Sequence, residues 1–375
     1  MKVLITSLSA GSGHVRAAEA VLAACKQNSP AVEAVHVDVA NFVSPNFRRL
    51  YVEGYRVAVQ HAPGLWGRLY RFSDSPSHAA LTPLLYKIQR SCAHCFYNYL
   101  QRFRPDLILS THFLIPQLIS AERHHPSFGP PVETVITDYD VHRFWISNVV
   151  TRYFVAHEGM VETLTRYGVP RNRVTVSGIP VHPTFLEKYA LPRIAAELGF
   201  TLDKPVILML AGGFGIFELQ QAVQHLLDVP VPLQVITVSG KNDLLRRRLD
   251  MLKVPPGITL KNLGHVRQMP ELLSISHIVM TKPGGLSVSE GLAMKKQMIL
   301  YSPIPGQEEK NAEYLVGQGA AVQVQSMKEL PDLVSQLLGD TTFSQRLLSN
   351  VERCSRPQAA YTIAENLTHT SSLAA

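Results

Sequence analysis

Four short stretches combine residue types and spacings that can do chemistry. Ser9-Ala10-Gly11-Ser12-Gly13-His14 lies between an apolar run and a helix-like stretch reaching about Lys26. Gly11 and Gly13 let a backbone approach a ligand closely, and a helix start directs free N–H groups at negative charge. His14, at the mouth of that helix, is a candidate proton acceptor, although a surface histidine capping the helix would look the same. Ala211-Gly212-Gly213-Phe214-Gly215 repeats the glycine-rich physics at the start of the second half. It fits a phosphate, but such turns occur in many sheets that bind nothing.

The third stretch carries more information. Thr281-Lys282-Pro283-Gly284-Gly285-Leu286-Ser287-Val288-Ser289-Glu290 ends one apolar run and opens a helix, with Glu290 in its first turns. A carboxylate there can accept two hydrogen bonds from a ribose diol while the helix start faces a diphosphate. In the fourth, Pro303-Ile304-Pro305-Gly306-Gln307-Glu308-Glu309-Lys310-Asn311, Gln307 and Glu308 can hydrogen-bond sugar hydroxyls. Each is separately explicable as a cap or a solvated polar group; the ordered set is not. A dinucleotide fingerprint needs a third small residue where Arg16 stands, which argues against a nicotinamide or flavin enzyme even though Asp38 would suit a ribose.

These motifs need strands to present them. Twelve short apolar runs, from Lys2–Ser7 to 320–324, alternate with helix-like stretches, the pattern of parallel sheets covered on both faces. The alternation restarts after a proline-containing stretch, 178–205. The expectation is an α/β protein of two doubly wound, Rossmann-like domains with a cleft between them. A chain of 375 residues, 46% hydrophobic and 17% charged, suits two packed domains and excludes wholesale disorder. Four scattered cysteines do not form a disulfide framework and point to a reducing cytosol. Cys92-Ala93-His94-Cys95 lacks a second cysteine pair at zinc-like spacing. No run reaches the roughly 20 apolar residues of a membrane span.

The net charge of +7 is concentrated in one place: residues 41–104 hold nine Lys/Arg, among them Lys87 and Arg90, against two acidic residues. Aromatic residues crowd the same segment. On a helix, Phe47, Leu50, Tyr51, Tyr55 and Ala58 form one stripe, with Arg48, Arg49 and Arg56 beside it. A loop around Leu65 and Trp66 is expected to follow, exposing both. A basic amphipathic helix with a Trp-bearing loop suits an anionic membrane surface; the plainer alternative is an insertion packed on its own domain. A nucleic-acid reading fails for want of an RNA-binding aromatic pattern or a helix-turn-helix.

The order Gly-Ser-Gly-His, Gly-Gly-x-Gly, Thr-Lys-Pro-Gly-Gly-x-x-x-x-Glu and Pro-Gly-Gln-Glu-x-x-Asn resembles glycosyltransferase family 28. Within it the likeness is to monogalactosyldiacylglycerol synthases and processive diacylglycerol glucosyltransferases. Thr137-Asp138-Tyr139-Asp140-Val141-His142-Arg143-Phe144-Trp145 and Gly178–Phe185 are similar to that group's acceptor-domain and interdomain motifs. The resemblance implies a GT-B fold with an acceptor domain over 1–178, a linker over 179–204, a UDP-sugar domain over 205–356 and a helix over 357–375 crossing back. It implies Glu290 on the ribose, the Gly212–Gly215 and Gly284–Gly285 turns on the diphosphate, backbone near Val266 on uracil, and Gln307 with Glu308 on the hexose. His14 would be the general base, with Asp138 or His142 orienting the acceptor head group and Trp145, Trp66 and the arginines near lipid.

The implied activity is inverting transfer of glucose or galactose from a UDP-sugar to diacylglycerol or a glycosyl-diacylglycerol. It would take place at the inner face of the cell membrane, with the enzyme cytoplasmic and peripheral. No cofactor is expected, and with no Asp-x-Asp motif at a strand end, no metal. The rival readings are a lipid-linked N-acetylglucosaminyltransferase of peptidoglycan synthesis and a UDP-sugar epimerase or binding protein without a lipid acceptor. Glucose against galactose, the number of sugars added, activation by acidic lipid and the oligomeric state stay open.

Overall fold

The computed structural model describes residues 1–74, 91–122, 129–211 and 216–370. Gly212, Gly213 and Gly215 of the second glycine-rich turn, Lys87 and Arg90 of the basic segment, and the side chain of Arg56 lie outside the described residues. The chain divides into two compact units. One comprises Met1–Pro183, Ile304–Lys310 and Arg356–Ala375, the other Thr184–Pro303 and Asn311–Ser355.

The first unit is a six-stranded parallel sheet in the order β2-β1-β3-β4-β5-β6. Its strands are β1 (Lys2–Ser7), β2 (Glu33–Asp38), β3 (Leu107–Ser110), β4 (Val132–Val135), β5 (Val150–Val155) and β6 (Val174–Val176). β3 and β4 are buried along their whole length, which is why they carry continuous apolar sequence rather than alternation. The order reverses direction between β1 and β3, the point at which an open α/β sheet leaves a crevice at the carboxyl ends of its strands. The helix Ser12–Asn28 covers one face, burying Ala18, Val21, Ala24 and Cys25. The terminal helix Ala359–Thr370 packs into the same core through Ala360, Ile363, Ala364 and Leu367. Arg152 Nη1 donates to Asn366 Oδ1 of that helix at 2.8 Å, and Arg152 Nε lies 3.7 Å from the carboxylate of buried Glu133.

The second unit repeats the plan with order β12-β11-β10-β7-β8-β9. Its strands are β7 (Val206–Leu210), β8 (Leu233–Val238), β9 (Ile258–Leu263), β10 (Ile278–Thr281), β11 (Gln297–Leu300) and β12 (Val322–Gln323). The direction reverses between β7 and β10, so among the described residues the crevice position falls at Ala211 and at 282–285. All twelve expected strands are present, all paired in parallel. β4 stops at Val135, so Thr137 stands just beyond the end of its ladder.

The basic segment departs further from expectation. Residues 45–61 are helical throughout, but Arg49–Glu53 form a π turn between two α-helical pieces. The wider turn holds more residues per revolution and narrows the inward stripe. Phe47 stacks on Tyr51 at 5.6 Å, whereas Leu50, expected on that stripe, is 77% exposed. The expected loop at 61–68 is instead the start of a helix, Pro63–Ser73, with proline in its first turn. Leu65 is exposed as expected, but Trp66 is half-buried, 6.3 Å from the Tyr70 ring.

Candidate active site

The residues that end β1 and β3 meet. Gly11 is the N-cap of the helix Ser12–Asn28 and supplies no capping side chain. Its φ of −148° is extended backbone that any residue adopts, and nothing lies within 4 Å of where its Cβ would be. Its missing side chain therefore leaves room beside open helix N–H groups. Gly13 is half-buried in the first turn.

His14 follows, half-buried. Its Nδ1 lies 2.7 Å from the Thr111 carbonyl oxygen and 3.0 Å from Thr137 Oγ1. A carbonyl only accepts, so Nδ1 carries the proton, and the neutral ring holds its lone pair on Nε2. Thr111 closes the clasp from the other side: its hydroxyl donates to the His14 carbonyl oxygen at 2.8 Å. Burial lowers the His14 pKa to about 4, with the Thr111 carbonyl opposing in part. At neutral pH the ring is therefore an unprotonated imidazole of fixed tautomer.

A wall of rings surrounds it. His112 meets His14 edge-on at 4.5 Å, Trp145 lies 6.3 Å away, and Phe113 bridges His112, Trp145 and Phe144. Tyr51, from the basic segment, stands edge-on to His112 at 6.1 Å. His112 is buried, and its Nδ1 accepts from Leu114 N–H at 3.1 Å. Burial, then the neighbouring His14, pushes its pKa well below the usual histidine range.

Two residues expected near lipid or head group sit deeper than that. Trp145 is 3% exposed and belongs to the wall behind His14, not to an outward face. His142 is 4% exposed: its Nδ1 accepts from Phe144 N–H at 3.1 Å, and its Nε2 donates to the Tyr70 carbonyl at 3.0 Å. Both ring nitrogens are taken up, and the residue fastens the helix Pro63–Ser73. Asp138 is half-buried one residue beyond Thr137. Asp38 accepts from Ser9 N–H at 3.1 Å and Ala40 N–H at 3.0 Å, a loop brace rather than a ribose ligand.

In the second unit, Gly284 caps the helix Gly285–Ala293 and again brings no side chain, leaving first-turn N–H groups open to an anion. Glu290, in the second turn of that helix, is 3% exposed. Asn311, wholly buried, donates from Nδ2 to the Pro283 carbonyl at 3.0 Å and so holds this turn in shape. Tyr301 supports the end of β7, its hydroxyl donating to the Leu210 carbonyl at 2.6 Å. Val266 is half-buried in the loop after β9.

Gln307 opens the helix Gln307–Gly317, half-buried. Glu308, expected on a sugar, turns a carboxylate oxygen back to accept from Ile304 N–H at 2.8 Å, and Glu309 does the same for Gly306 N–H at 2.9 Å. Both brace the loop.

The sequence reading missed Thr111, His112 and Asn311 as working residues. The signal for the first two is a polar triplet, Ser110-Thr111-His112, closing an otherwise apolar strand.

The basic segment presents one more surface. Along the helix Pro63–Ser73, Leu65, Leu69 and Phe72 fall on one outward stripe, with Arg68 and Arg71 exposed beside them. Arg48, Arg49, Leu50 and Val57 extend the exposed apolar and basic character. Among the described residues no helix is long and apolar enough to cross a membrane.

Paired six-stranded parallel sheets, each with a glycine-opened helix at its reversal point, define the GT-B class of glycosyltransferase fold. The fold is shared with solved structures: MurG of Acinetobacter baumannii (TM-score 0.60, 16% identity, 98% of this chain and 99% of that one) and UDP-GlcNAc 2-epimerase of Neisseria meningitidis bound to UDP-GlcNAc (TM-score 0.60, 16% identity, 98% and 100%). Residues 14–181 match the family model for monogalactosyldiacylglycerol (MGDG) synthase, and residues 207–367 that for the glycosyltransferase family 28 C-terminal domain. A processive diacylglycerol beta-glucosyltransferase of Bacillus cereus is 30% identical over 90% of this chain and 86% of its own. The chain belongs to glycosyltransferase family 28, in the group of these diacylglycerol glycosyltransferases.

Proposed function

We propose that this enzyme moves a hexose from a UDP-sugar to diacylglycerol or a glycosyl-diacylglycerol, inverting the anomeric centre, at the anionic inner face of the cell membrane. The observation that carries the proposal is His14: a neutral imidazole whose tautomer is fixed by Thr111 at the reversal point of the first sheet. Its Nε2 takes the proton of the acceptor hydroxyl as that oxygen bonds to the anomeric carbon and the bond to the diphosphate breaks. UDP leaves with the electron pair, and the proton rests on the imidazole. A base with a pKa near 4 is weak, and the negative charge of a bound diphosphate raises it in the loaded enzyme.

The donor would use Glu290 for the ribose, the Gly284–Gly285 and Gly212–Gly215 turns for the diphosphate, backbone near Val266 for uracil and Gln307 for the sugar. Open N–H groups at the helix Gly285–Ala293 supply the leaving-group stabilisation that a preorganised dipole provides. Asp138, the residue after Thr137, would orient the acceptor. The stripe Leu65, Leu69 and Phe72 with its arginines meets the bilayer.

Incubation with radiolabelled UDP-glucose, UDP-galactose and UDP-N-acetylglucosamine and vesicles containing diacylglycerol tests the reading. Label from a UDP-hexose in the organic phase supports it. Label confined to water-soluble sugar supports an epimerase, and transfer from UDP-N-acetylglucosamine alone supports the peptidoglycan-type activity.

A further inference from the structure

The helix Pro63–Ser73 has a second, inward face, and its contacts there are unusually close. A methyl group added to Gly67 would sit 2.7 Å from Pro305 Cβ. A methyl group on Gly306 would sit 2.7 to 3.2 Å from atoms of the Tyr70 ring. Two positions without side chains thus interlock: Gly67 receives Pro305, and Gly306 receives Tyr70. Gly306 has φ +103°, and Ser302, just before the loop, has φ +41°, a left-handed conformation uncommon for serine. Such backbone persists where surrounding packing imposes it. The loop it shapes is the one that begins at Pro303, is braced by Glu308 and Glu309, and leads into Gln307.

The inward face is itself anchored. The Tyr70 carbonyl accepts from His142 Nε2 at 3.0 Å, and the Tyr70 and His142 rings lie 4.2 Å apart. Asp74, just past the helix, accepts from Arg143 N–H at 2.9 Å. His142 and Phe144 continue into the ring wall beside His14.

We infer that Tyr70 and Gly67 are positioning residues for the 303–309 loop, and that lipid docking on the outward stripe of the same helix tightens binding of the UDP-hexose. The inference rests on the reading above, in which that loop serves the donor sugar and that stripe meets lipid. Holding the helix at a surface restricts the element against which the loop is shaped, so part of the ordering cost of donor binding is removed beforehand. Linkage then requires the donor to strengthen vesicle binding by the same factor.

The experiment measures the affinity for UDP-hexose with and without vesicles of phosphatidylcholine and phosphatidylglycerol, and KM and kcat, in the wild type and in Tyr70→Leu, Tyr70→Phe and Gly67→Ala. Tyr70→Leu removes the ring but keeps the carbonyl held by His142. Vesicles should tighten UDP-hexose binding by the wild type about tenfold, within the usual range of such couplings. Tyr70→Leu should raise KM for UDP-hexose several-fold with little change in kcat and lose most of the vesicle effect, as should Gly67→Ala, while Tyr70→Phe restores both. A Tyr70→Leu enzyme with the wild-type KM, or a wild-type affinity indifferent to vesicles that do bind, overturns the inference and leaves the proposed activity standing. A wild type that binds no UDP-hexose at all overturns the activity and the inference together.

Discussion

Thr111 and His14 hold each other twice: the Thr111 carbonyl takes the proton of His14 Nδ1 at 2.7 Å, and the Thr111 hydroxyl donates to the His14 carbonyl at 2.8 Å. One contact sets the tautomer, and the other fixes the start of the helix that carries the ring. Thr111→Val keeps the carbonyl and loses the hydroxyl. It should lower turnover about fivefold by loosening the ring, in line with one hydrogen bond of roughly 1 kcal/mol, and Thr111→Ser should recover it. Rates of glycolipid formation by the three enzymes check this.

The low pKa of His14 predicts the pH profile. A base that loses its proton near pH 4 is active throughout the neutral range, so kcat/KM should show no acid limb near 6.5 and should fall only as pH approaches 4. A limb near 6.5 in kcat/KM would assign the proton transfer to a different group.

Stability should follow the same histidines. His14, His112 and His142 all have pKa values lowered by burial, so between their folded values and the usual 6.5 the unfolded chain binds more protons. Stability is therefore full above about pH 6.5 and is lost as pH falls toward 4. Thermal melting across pH 4 to 8 should show a declining midpoint on the acid side, and His112→Phe should flatten part of it.

Arg152 is the partner of buried Glu133 and also grips the terminal helix through Asn366. Arg152→Met takes this cation away from a buried carboxylate and should cost about 3 kcal/mol. The double change Arg152→Met with Glu133→Leu should recover much of that loss, as denaturant titration would show.

The exposed stripe gives a charge test. Replacing Arg48, Arg49, Arg68 and Arg71 with glutamate should weaken binding to anionic vesicles by roughly 1 kcal/mol per charge near the surface. Sedimentation with vesicles at low salt measures it, and unchanged partition would remove this face as the membrane contact.

Much of this architecture is legible in the sequence because parallel strands buried on both faces leave runs such as Leu107-Ile108-Leu109 that little else produces. The glycine-opened helices at Gly11 and Gly284 are legible for the same local reason. What escaped is set by contacts across long sequence separations. Thr111 acts on a residue 97 positions away, and Asn311 on a carbonyl 28 positions away, so neither partner can be read from the neighbouring sequence. The hydrogen bonds of Glu308 to Ile304 N–H and of His142 to the Tyr70 carbonyl are not legible in the sequence, because a polar side chain's partner is invisible until the chain folds. Leu50 was misplaced because a single π turn changes the helical period, and no residue in Arg49–Glu53 announces one.

The most direct measurement is single-turnover transfer from UDP-hexose to diacylglycerol by His14→Gln, with UDP affinity determined on the same preparation. An imidazole acting as base at Nε2 predicts a rate lower by about 10²–10⁴ with UDP held nearly as tightly as in the wild type. Transfer at close to the wild-type rate would contradict it.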